Sequence, residues 1–297
     1  MFFTVIIPTY NRVDVLSRSI NSVLNQTYQS FELIVVDNGS TDNTKEWLSS
    51  NYQDDRIVYH YQKGSGSQAS PRNTGISLAT GKWVCLLDSD DKWNEHKLQH
   101  VFDAIQENSS ADVVCHNENI YNELTGNVGK LLKYGPVSKN MYKDMLMFGN
   151  RLSTSATSIR VSFLQYNALK FNESDDFAIV EDYDLWLNLA RCNAHFVFLS
   201  KPLGFYAVGE GNMISDSNLF CKNLKNLLRV HVFDVQKFEK NKSKLWNFLD
   251  LRSDLCKIQH AKSSLLKRVF SLFRLWAIHP VNLTKIIFGY LKRKIGN

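Results

Sequence analysis

Over the first 115 residues, short apolar runs alternate with segments whose apolar positions recur at helical spacing. The runs at 3–7, 31–36, 57–61, 83–87 and 111–115 are bounded by polar or turn-forming residues and read as strands. Between them, residues 12–25 place Val13, Leu16, Ile20, Val23 and Leu24 on a helical stripe. Thr41-Asp42 opens a helix through Trp47 and Leu48, with Ser40 as its expected N-cap. A Gly/Ser loop at 64–67 leads to a short helix over 71–78, begun by Pro71 and closed by Gly81. Residues 95–106 form the next helix. Continuous apolar strands alternating with amphipathic helices predict an α/β fold whose mostly parallel sheet is covered on both faces.

The pattern loosens over 121–170, a stretch with Gly126, Gly129, Gly135, Pro136 and the polar run 153–158. It tightens again at 181–189, where Tyr183, Trp186, Leu187 and Ala190 share a helical face behind Glu181 and Asp182. Acids in a first helical turn complement the helix dipole, so that pair is consistent with a plain helix start as well as with a chemical role. Domain expectations follow: a catalytic domain over 1–215, with a nucleotide-binding half at 1–115 and an acceptor-binding half at 116–215, then a helical region over 216–297.

Chemistry concentrates where strands end. Thr9-Tyr10-Asn11-Arg12 follows the first strand, Asp37-Asn38 the second, and Asp88-Ser89-Asp90-Asp91 the fourth. In sheets of this kind ligands bind beyond the carboxyl ends of the strands, and neighbouring strand ends bring such clusters together. Three carboxylates in four residues repel one another and hold water strongly. Placing them beyond a buried strand suits a hard divalent cation shared with phosphate oxygens, and it also suits an acidic turn that caps the next helix. His116, His195 and the 153–158 run could face an acceptor, but the structural reading is favoured, because buried polar groups are usually satisfied locally.

Net charge over the 297 residues is +6, and its location matters more than its size. After Asp254 no acidic residue occurs. Residues 255–297 carry nine basic ones: Lys257, Lys262, Lys267, Arg268, Arg274, Lys285, Lys292, Arg293 and Lys294. The rest of the chain holds 26 basic and 29 acidic residues, a net of −3. In the tail, 263–278 puts Lys267, Arg268, Ser271 and Arg274 on one narrow face of a helix otherwise covered by Leu265, Leu266, Val269, Phe270, Leu272, Phe273 and Trp276. After Pro280, residues Leu283, Ile286, Ile287, Tyr290 and Leu291 share a second face. Basic amphipathic helices rich in Phe, Trp and Leu bind the membrane interface. A helix packed on the protein body or on a second copy is the alternative, and the apolar faces are too broad for a solvated nucleic-acid-binding helix. Five cysteines (Cys85, Cys115, Cys192, Cys221, Cys256) lack metal or disulfide spacing and fit a reducing compartment. The apolar start at 1–8 has no basic flank and reads as a buried strand rather than a leader. No run of 18 apolar residues appears, so no transmembrane helix is expected.

Five motifs in order, Val5–Arg12 (VIIPTYNR), Glu32–Asp42 (ELIVVDNGSTD), Arg72–Ile76 (RNTGI), Leu87–Asp91 (LDSDD) and Glu181–Trp186 (EDYDLW), resemble those of family 2 glycosyltransferases. The resemblance implies the GT-A fold, a Rossmann-like, mostly parallel mixed sheet flanked by helices. It also implies inverting transfer from a nucleotide-diphosphate sugar, usually UDP-linked, assisted by Mn²⁺ or Mg²⁺. By the same resemblance Thr9, Tyr10, Arg12 and Asn38 line the nucleotide pocket, and Asp37 accepts a hydrogen bond from uracil. Arg72 lies near the base and phosphates, Asp88 at the ribose or metal, and Asp90 on the metal. Asp91 is a weaker metal or donor-sugar contact. Asp182 matches the general base, with Glu181 as the fallback. Proline replaces the family's frequent alanine at Pro71, which a first helical turn tolerates. Together with the basic tail, the resemblance points to a cytoplasmic enzyme, peripheral on the inner face of the cytoplasmic membrane. Its acceptor would be a polyprenyl-diphosphate-linked saccharide, in O-antigen or capsule synthesis. A non-catalytic nucleotide-sugar-binding relative, or transfer to a soluble or protein acceptor, are the alternatives. A nucleotidyltransferase would need a glycine-rich phosphate loop near the N-terminus, and none is present.

Overall fold

The computed structural model describes residues 2–122, 124–208, 217–260 and 265–295, with the side chains of the last two helices described only in part. Strands β1 (Phe3–Thr9), β2 (Phe31–Asp37), β3 (Ile57–Tyr61) and β4 (Trp83–Leu86) form a parallel half-sheet in the order β3-β2-β1-β4. Their apolar runs are continuous because both faces are covered. Ile6, Ile34, Val36, Val84 and Leu86 enter one core, and Phe3, Val5, Ile7, Leu33, Val35 and Cys85 enter the other. Helices α1 (Val13–Leu24) and α2 (Thr44–Asn51) cover the second face, and α3 (Ala69–Leu78) covers the first.

Past β4 the sheet becomes mixed. A two-residue strand β5 (Lys92–Trp93) precedes helix α4 (Lys97–Glu107), β6 (Val113–Asn122), β7 (Val128–Leu132), α5 (Met141–Phe148), β8 (Thr157–Arg160), α6 (Val161–Tyr166), α7 (Glu181–Arg191) and β9 (Phe196–Val208). The order continues β4-β8-β6-β9-β5, with β7 on β6. β8 runs antiparallel to both β4 and β6, while β6 and β9 are parallel. Several boundaries differ from the sequence expectation for local reasons. β6 continues past Cys115 through a polar stretch, because β9 pairs along its length with register shifts at His116–Glu118. β9 itself contains Ser200-Lys201-Pro202, which hides it from any apolar pattern. α2 starts at Thr44, and Ser40 does not cap it. The Ser40 hydroxyl instead accepts from the Asn11 N–H at 2.9 Å, and Asp42 Oδ1 receives the Thr44 hydroxyl at 2.5 Å. α3 begins at Ala69, so Pro71 falls inside its first turn.

After β9 the described residues are helical: α8 (Ser217–Val230) running into a π-helical turn (His231–Val235), then α9 (Lys242–His260), α10 (Leu265–Ile278) and α11 (Pro280–Ile295). The expected boundary at 215/216 lies within 209–216, outside the described residues. Pro280 opens α11, where its missing N–H costs nothing. The second tail stretch differs from the expectation of a free apolar face. Leu283 and Ile286 are 1% and 7% exposed and join the main core, so this face packs on the body. Open apolar surface lies instead on α10, at Val269, Leu272, Phe273 and Trp276, and outward at Phe288. The side chains of Leu265, Leu266, Lys267, Arg268, Phe270, Ile287, Tyr290, Leu291, Lys292, Arg293 and Lys294, together with residue Lys262, lie outside the described set. Among the described residues no helix is long and apolar enough to cross a membrane.

Gly75 sets how closely α3 meets the sheet. A Cβ there would lie 2.5 Å from Ile6 Cγ2, and Ile6 is buried and stiff at χ1. Gly75→Ala should therefore destabilise the fold by about 1–3 kcal/mol, read from urea unfolding; an unchanged midpoint would show that α3 has slack.

Candidate active site

Parallel pairing places Thr9 beside Asp37 at the ends of β1 and β2, and Leu87 N–H bonds Ile6 O next to them. The loops beyond these strand ends, the N-terminus of α7 and the end of β9 enclose a cavity of about 800 Å³. Asn11, in the left-handed region at φ 49°, turns the β1 loop and accepts from the Thr41 N–H at 2.7 Å through Oδ1. Gly39 is required where that loop meets the next one. Its φ is +87°, and a Cβ would lie 2.5 Å from the Gly64 backbone nitrogen.

Of the residues singled out from sequence, Thr9, Tyr10, Arg12, Asn38, Arg72, Asp88, Asp90, Asp91, Glu181 and Asp182 border this cavity. Asp37 does not. It is buried beneath the wall, where Oδ1 receives the Ser40 N–H at 2.8 Å and Oδ2 the Tyr59 hydroxyl at 2.7 Å. Asn38 is the residue of that pair at the cavity. It is fixed by Gln62 Nε2 on its Oδ1 (2.8 Å) and by its own Nδ2 donating to Ser67 O (3.1 Å). The Thr9 hydroxyl is buried without a hydrogen-bond partner among the described residues.

Arg72 ties the two sides of the cavity together. Its guanidinium is fully buried and donates to Asp88 Oδ1 at 2.6 Å, to Glu181 Oε1 at 2.7 Å and to Gln68 Oε1 at 3.0 Å. It lies 5.4 Å from the centre of the Phe171 ring. Although burial opposes its charge, Asp88 and Glu181 hold the guanidinium firmly protonated. Glu181 Oε2 has no partner among the described residues. Asp182, next in α7, accepts the Tyr183 N–H at 2.6 Å. Burial first, and then the Glu181 charge, push its pKa up to about 7, against the pull of Arg72. A carboxyl near neutrality is matched to proton transfer at neutral pH. Just ahead of α7, Ile179 lines the cavity at φ +69°, a conformation costly for a β-branched residue.

The acidic run separates into three environments. Asp88 pairs with Arg72, and Asp90 pairs with Arg12 at 2.9 Å while its carbonyl receives Arg18. Asp91, expected as a metal or donor-sugar contact, borders the cavity with its carboxylate oxygens engaged by the protein. Its oxygens accept from Ala207 N–H (2.8 Å) and Ser155 Oγ (2.5 Å), and Ser155 Oγ also accepts the Asp88 N–H. Burial and the nearby Glu118, Asp90 and Asp88 hold Asp91 well above the usual carboxylate range. It fastens the run to β9 and to the loop before β8. Among the described residues no three His, Cys, Asp or Glu side chains gather to enclose a metal by themselves. The donor chemistry at Asp88 and Asp90 nonetheless fits Mg²⁺ or Mn²⁺, ions that complete their oxygen shell with phosphate and water.

Two parts of the wall, at Tyr134 and Tyr206, escaped the sequence reading, and a third, at Ser153 and Thr154, was weighed there against a structural role. Tyr134 borders the cavity and donates to Glu118 Oε2 at 2.8 Å; burial raises that carboxyl to about 7. Ser153 and Thr154, from the run taken as structural, face the cavity, as does Tyr206 of β9. His116 and His195 stay structural. His116 is buried with Nδ1 at 2.9 Å from Asn117 O, and His195 meets Ser110 Oγ at 2.6 Å. Glu118 lies in a polar stretch, 116–119, that extends an apolar strand; that unusual extension was the available signal.

A profile of the family described as "Glycosyl transferase family 2" matches residues 4–163. An uncharacterised glycosyltransferase of Rickettsia bellii is 43% identical over 228 residues, 75% of this chain and 31% of that protein. Escherichia coli WfgD, a UDP-Glc:alpha-D-GlcNAc-diphosphoundecaprenol beta-1,3-glucosyltransferase, is 32% identical over 193 residues, 64% of this chain and 70% of its own. The first of these curated relatives are longer, and the matched part spans 31–49% of their length. The crystal structure of Staphylococcus aureus TarS 1-349 in complex with UDP-GlcNAc superposes with a TM-score of 0.64 at 19% identity, covering 100% of this chain and 93% of that one. The fold is therefore GT-A, and the chain belongs to glycosyl transferase family 2.

Proposed function

We propose that this family 2 member moves a sugar from a nucleotide-diphosphate sugar, a UDP-sugar, to a hydroxyl of a lipid-linked saccharide, with inversion at the anomeric carbon. The observation that carries this reading is the pairing of Asp88 and Glu181 on one buried arginine. It puts the carboxylate run and the Glu181-Asp182 pair on a single cavity. Thr9, Tyr10 and Asn38 hold the nucleotide end. Arg12, released from Asp90, and Arg72 face the diphosphate. Asp88 and Asp90 would hold Mn²⁺ or Mg²⁺, which when bound neutralises charge developing on the departing diphosphate. Asp182 takes the proton of the acceptor hydroxyl as the new bond to the anomeric carbon forms, and the nucleoside diphosphate leaves from the opposite face. The name of WfgD, with its diphosphoundecaprenol acceptor, and the UDP-GlcNAc bound to TarS support these assignments of acceptor and donor class. Surface polysaccharide synthesis, O-antigen or capsule, follows as the setting.

The membrane contact assigned to residues 255–297 is narrowed to α10. Val269, Leu272, Phe273 and Trp276 are open on that helix, beside the exposed Arg274, while α11 uses Leu283 and Ile286 to pack on the body. An apolar surface in an acid-free segment suits an anionic lipid face, to which each basic residue near the surface adds about 1 kcal/mol. On this reading the enzyme works on the inner face of the cytoplasmic membrane, where its acceptor would be held.

Transfer assays test the base. Asp182→Asn should keep UDP binding and slow transfer by about 10²–10⁴-fold; transfer at the wild-type rate would sink the assignment and favour a relative that binds without turnover. Flotation tests the lipid contact. Phe273→Asp with Trp276→Asp should leave the protein folded and release it from anionic liposomes, whereas unchanged flotation would remove α10 as the anchor.

A further inference from the structure

We infer that His231 and Arg252, from the C-terminal helices, are positioning residues for the reaction, clamping α7 so that Asp182 meets the acceptor. The inference rests on the reading of Asp182 as base. It goes further by giving the helical region after β9 a part in transfer that none of the strand-end motifs suggests.

The two residues that follow Asp182 are both held from behind. Asp184, buried in the first turn of α7, lies with Oδ1 at 2.9 Å from His231 Nε2, while its Oδ2 takes Asn188 Nδ2 at 3.2 Å. His231 is the first residue of the π-helical turn, and its Nδ1 is 3.1 Å from the Tyr142 hydroxyl. The tautomer that satisfies both contacts carries its proton on Nε2, donates to Asp184 and accepts from Tyr142. All three side chains are buried, so this is a closed chain of hydrogen bonds across α5, α7 and the end of α8. Such π-helical turns recur at functional sites.

Tyr183 is held as firmly. Its hydroxyl donates to Met145 O at 2.5 Å and accepts from Arg252 of α9 at 3.3 and 3.4 Å. Arg252 also donates to Leu146 O at 2.7 Å. Both carbonyls belong to the last turn of α5; Met145 O also takes the Gly149 N–H at 2.8 Å, while Leu146 O is one of the terminal acceptors that helix geometry leaves over and that favour a cation. Gly149 ends α5 beside the guanidinium, and its φ of +110° is what calls for glycine there, since a Cβ would meet Arg252 Nη2 only at 3.4 Å, an ordinary contact. One arginine therefore caps α5 and grips the tyrosine next to the base. On the cavity side Arg72 holds Glu181. Asp182 thus lies between a front anchor on the preceding residue and two rear anchors on the following ones. A base displaced by an ångström loses rate without losing substrate affinity.

Kinetics on the full chain separate positioning from folding. Arg252→Met should lower kcat by about tenfold or more, with the UDP dissociation constant from calorimetry within about twofold of wild type. Arg252→Lys, which keeps the cation on α5, should recover part of the loss. Wild-type kcat in Arg252→Met, or kcat and UDP affinity falling together, would overturn the clamp. If Arg252→Met does not fold, Tyr183→Phe decides: it removes the hydroxyl alone, the same split is expected, and an unchanged kcat overturns the inference. Asp182→Asn assayed in parallel keeps the two readings apart. Its failure to transfer beside full activity in Tyr183→Phe and Arg252→Met would count against the clamp only, while transfer by Asp182→Asn itself would count against the base.

Discussion

The arrangement of the site depends on one buried cation. Arg72 has its charge in a dry environment, with acceptors on Asp88, Glu181 and Gln68 and the Phe171 ring alongside. Breaking such a pair by removing one partner costs about 3–5 kcal/mol, because the remaining charge is left buried alone. The arrangement is mutual. Asp88, Glu181 and Asp182 would repel one another around this cavity without the guanidinium, and Arg72 would not tolerate burial without two of them. Asp182 is the member left without a direct bond to the arginine. Burial and then the Glu181 charge push its pKa up against the pull of Arg72, and a carboxyl so raised is suited to accept a proton near neutral pH.

The acidic run shows the same division of labour on a smaller scale. Three similar carboxylates acquire different roles from what surrounds them. Asp91 is held by Ser155 and Ala207 and fastens the loop to β9, Asp90 is held by Arg12 at the cavity, and Asp88 shares Arg72 with the base helix. Asp90 and Asp88 are the two that could offer donor atoms to a divalent ion, Asp90 in exchange for Arg12, which would then face phosphate oxygens, and Asp88 through the oxygen that Arg72 does not hold. Charge is thus already balanced at these two positions, which avoids leaving unpaired carboxylates beyond a buried strand.

Much of this was legible in the sequence where structure is local. The parallel strands β1 to β4 are covered on both faces, so their runs are continuous and their ends predictable, and strand-end chemistry follows from topology. What stayed hidden depends on distant partners. Arg72 and Glu181 are 109 residues apart, and no periodicity reports that they touch. β9 was missed because a Ser-Lys-Pro segment interrupts it, and its existence rests on pairing with β6. Asp37 was placed at the ligand and lies beneath the wall, while Asn38 takes the cavity side, because successive residues leaving a strand face opposite ways. The tail's second face looked like the first in sequence, yet Leu283 and Ile286 pack on the core and the α10 residues do not.

The pH dependence of wild-type kcat/KM for sugar transfer tests this account most directly. A base is active when deprotonated, so the rate should rise with pH and reach half its plateau near the pKa of about 7 that burial and Glu181 give Asp182. A rate already at its plateau at pH 5, as an ordinary exposed carboxylate would give, would contradict the claim that the Arg72-centred frame sets Asp182 up as the base.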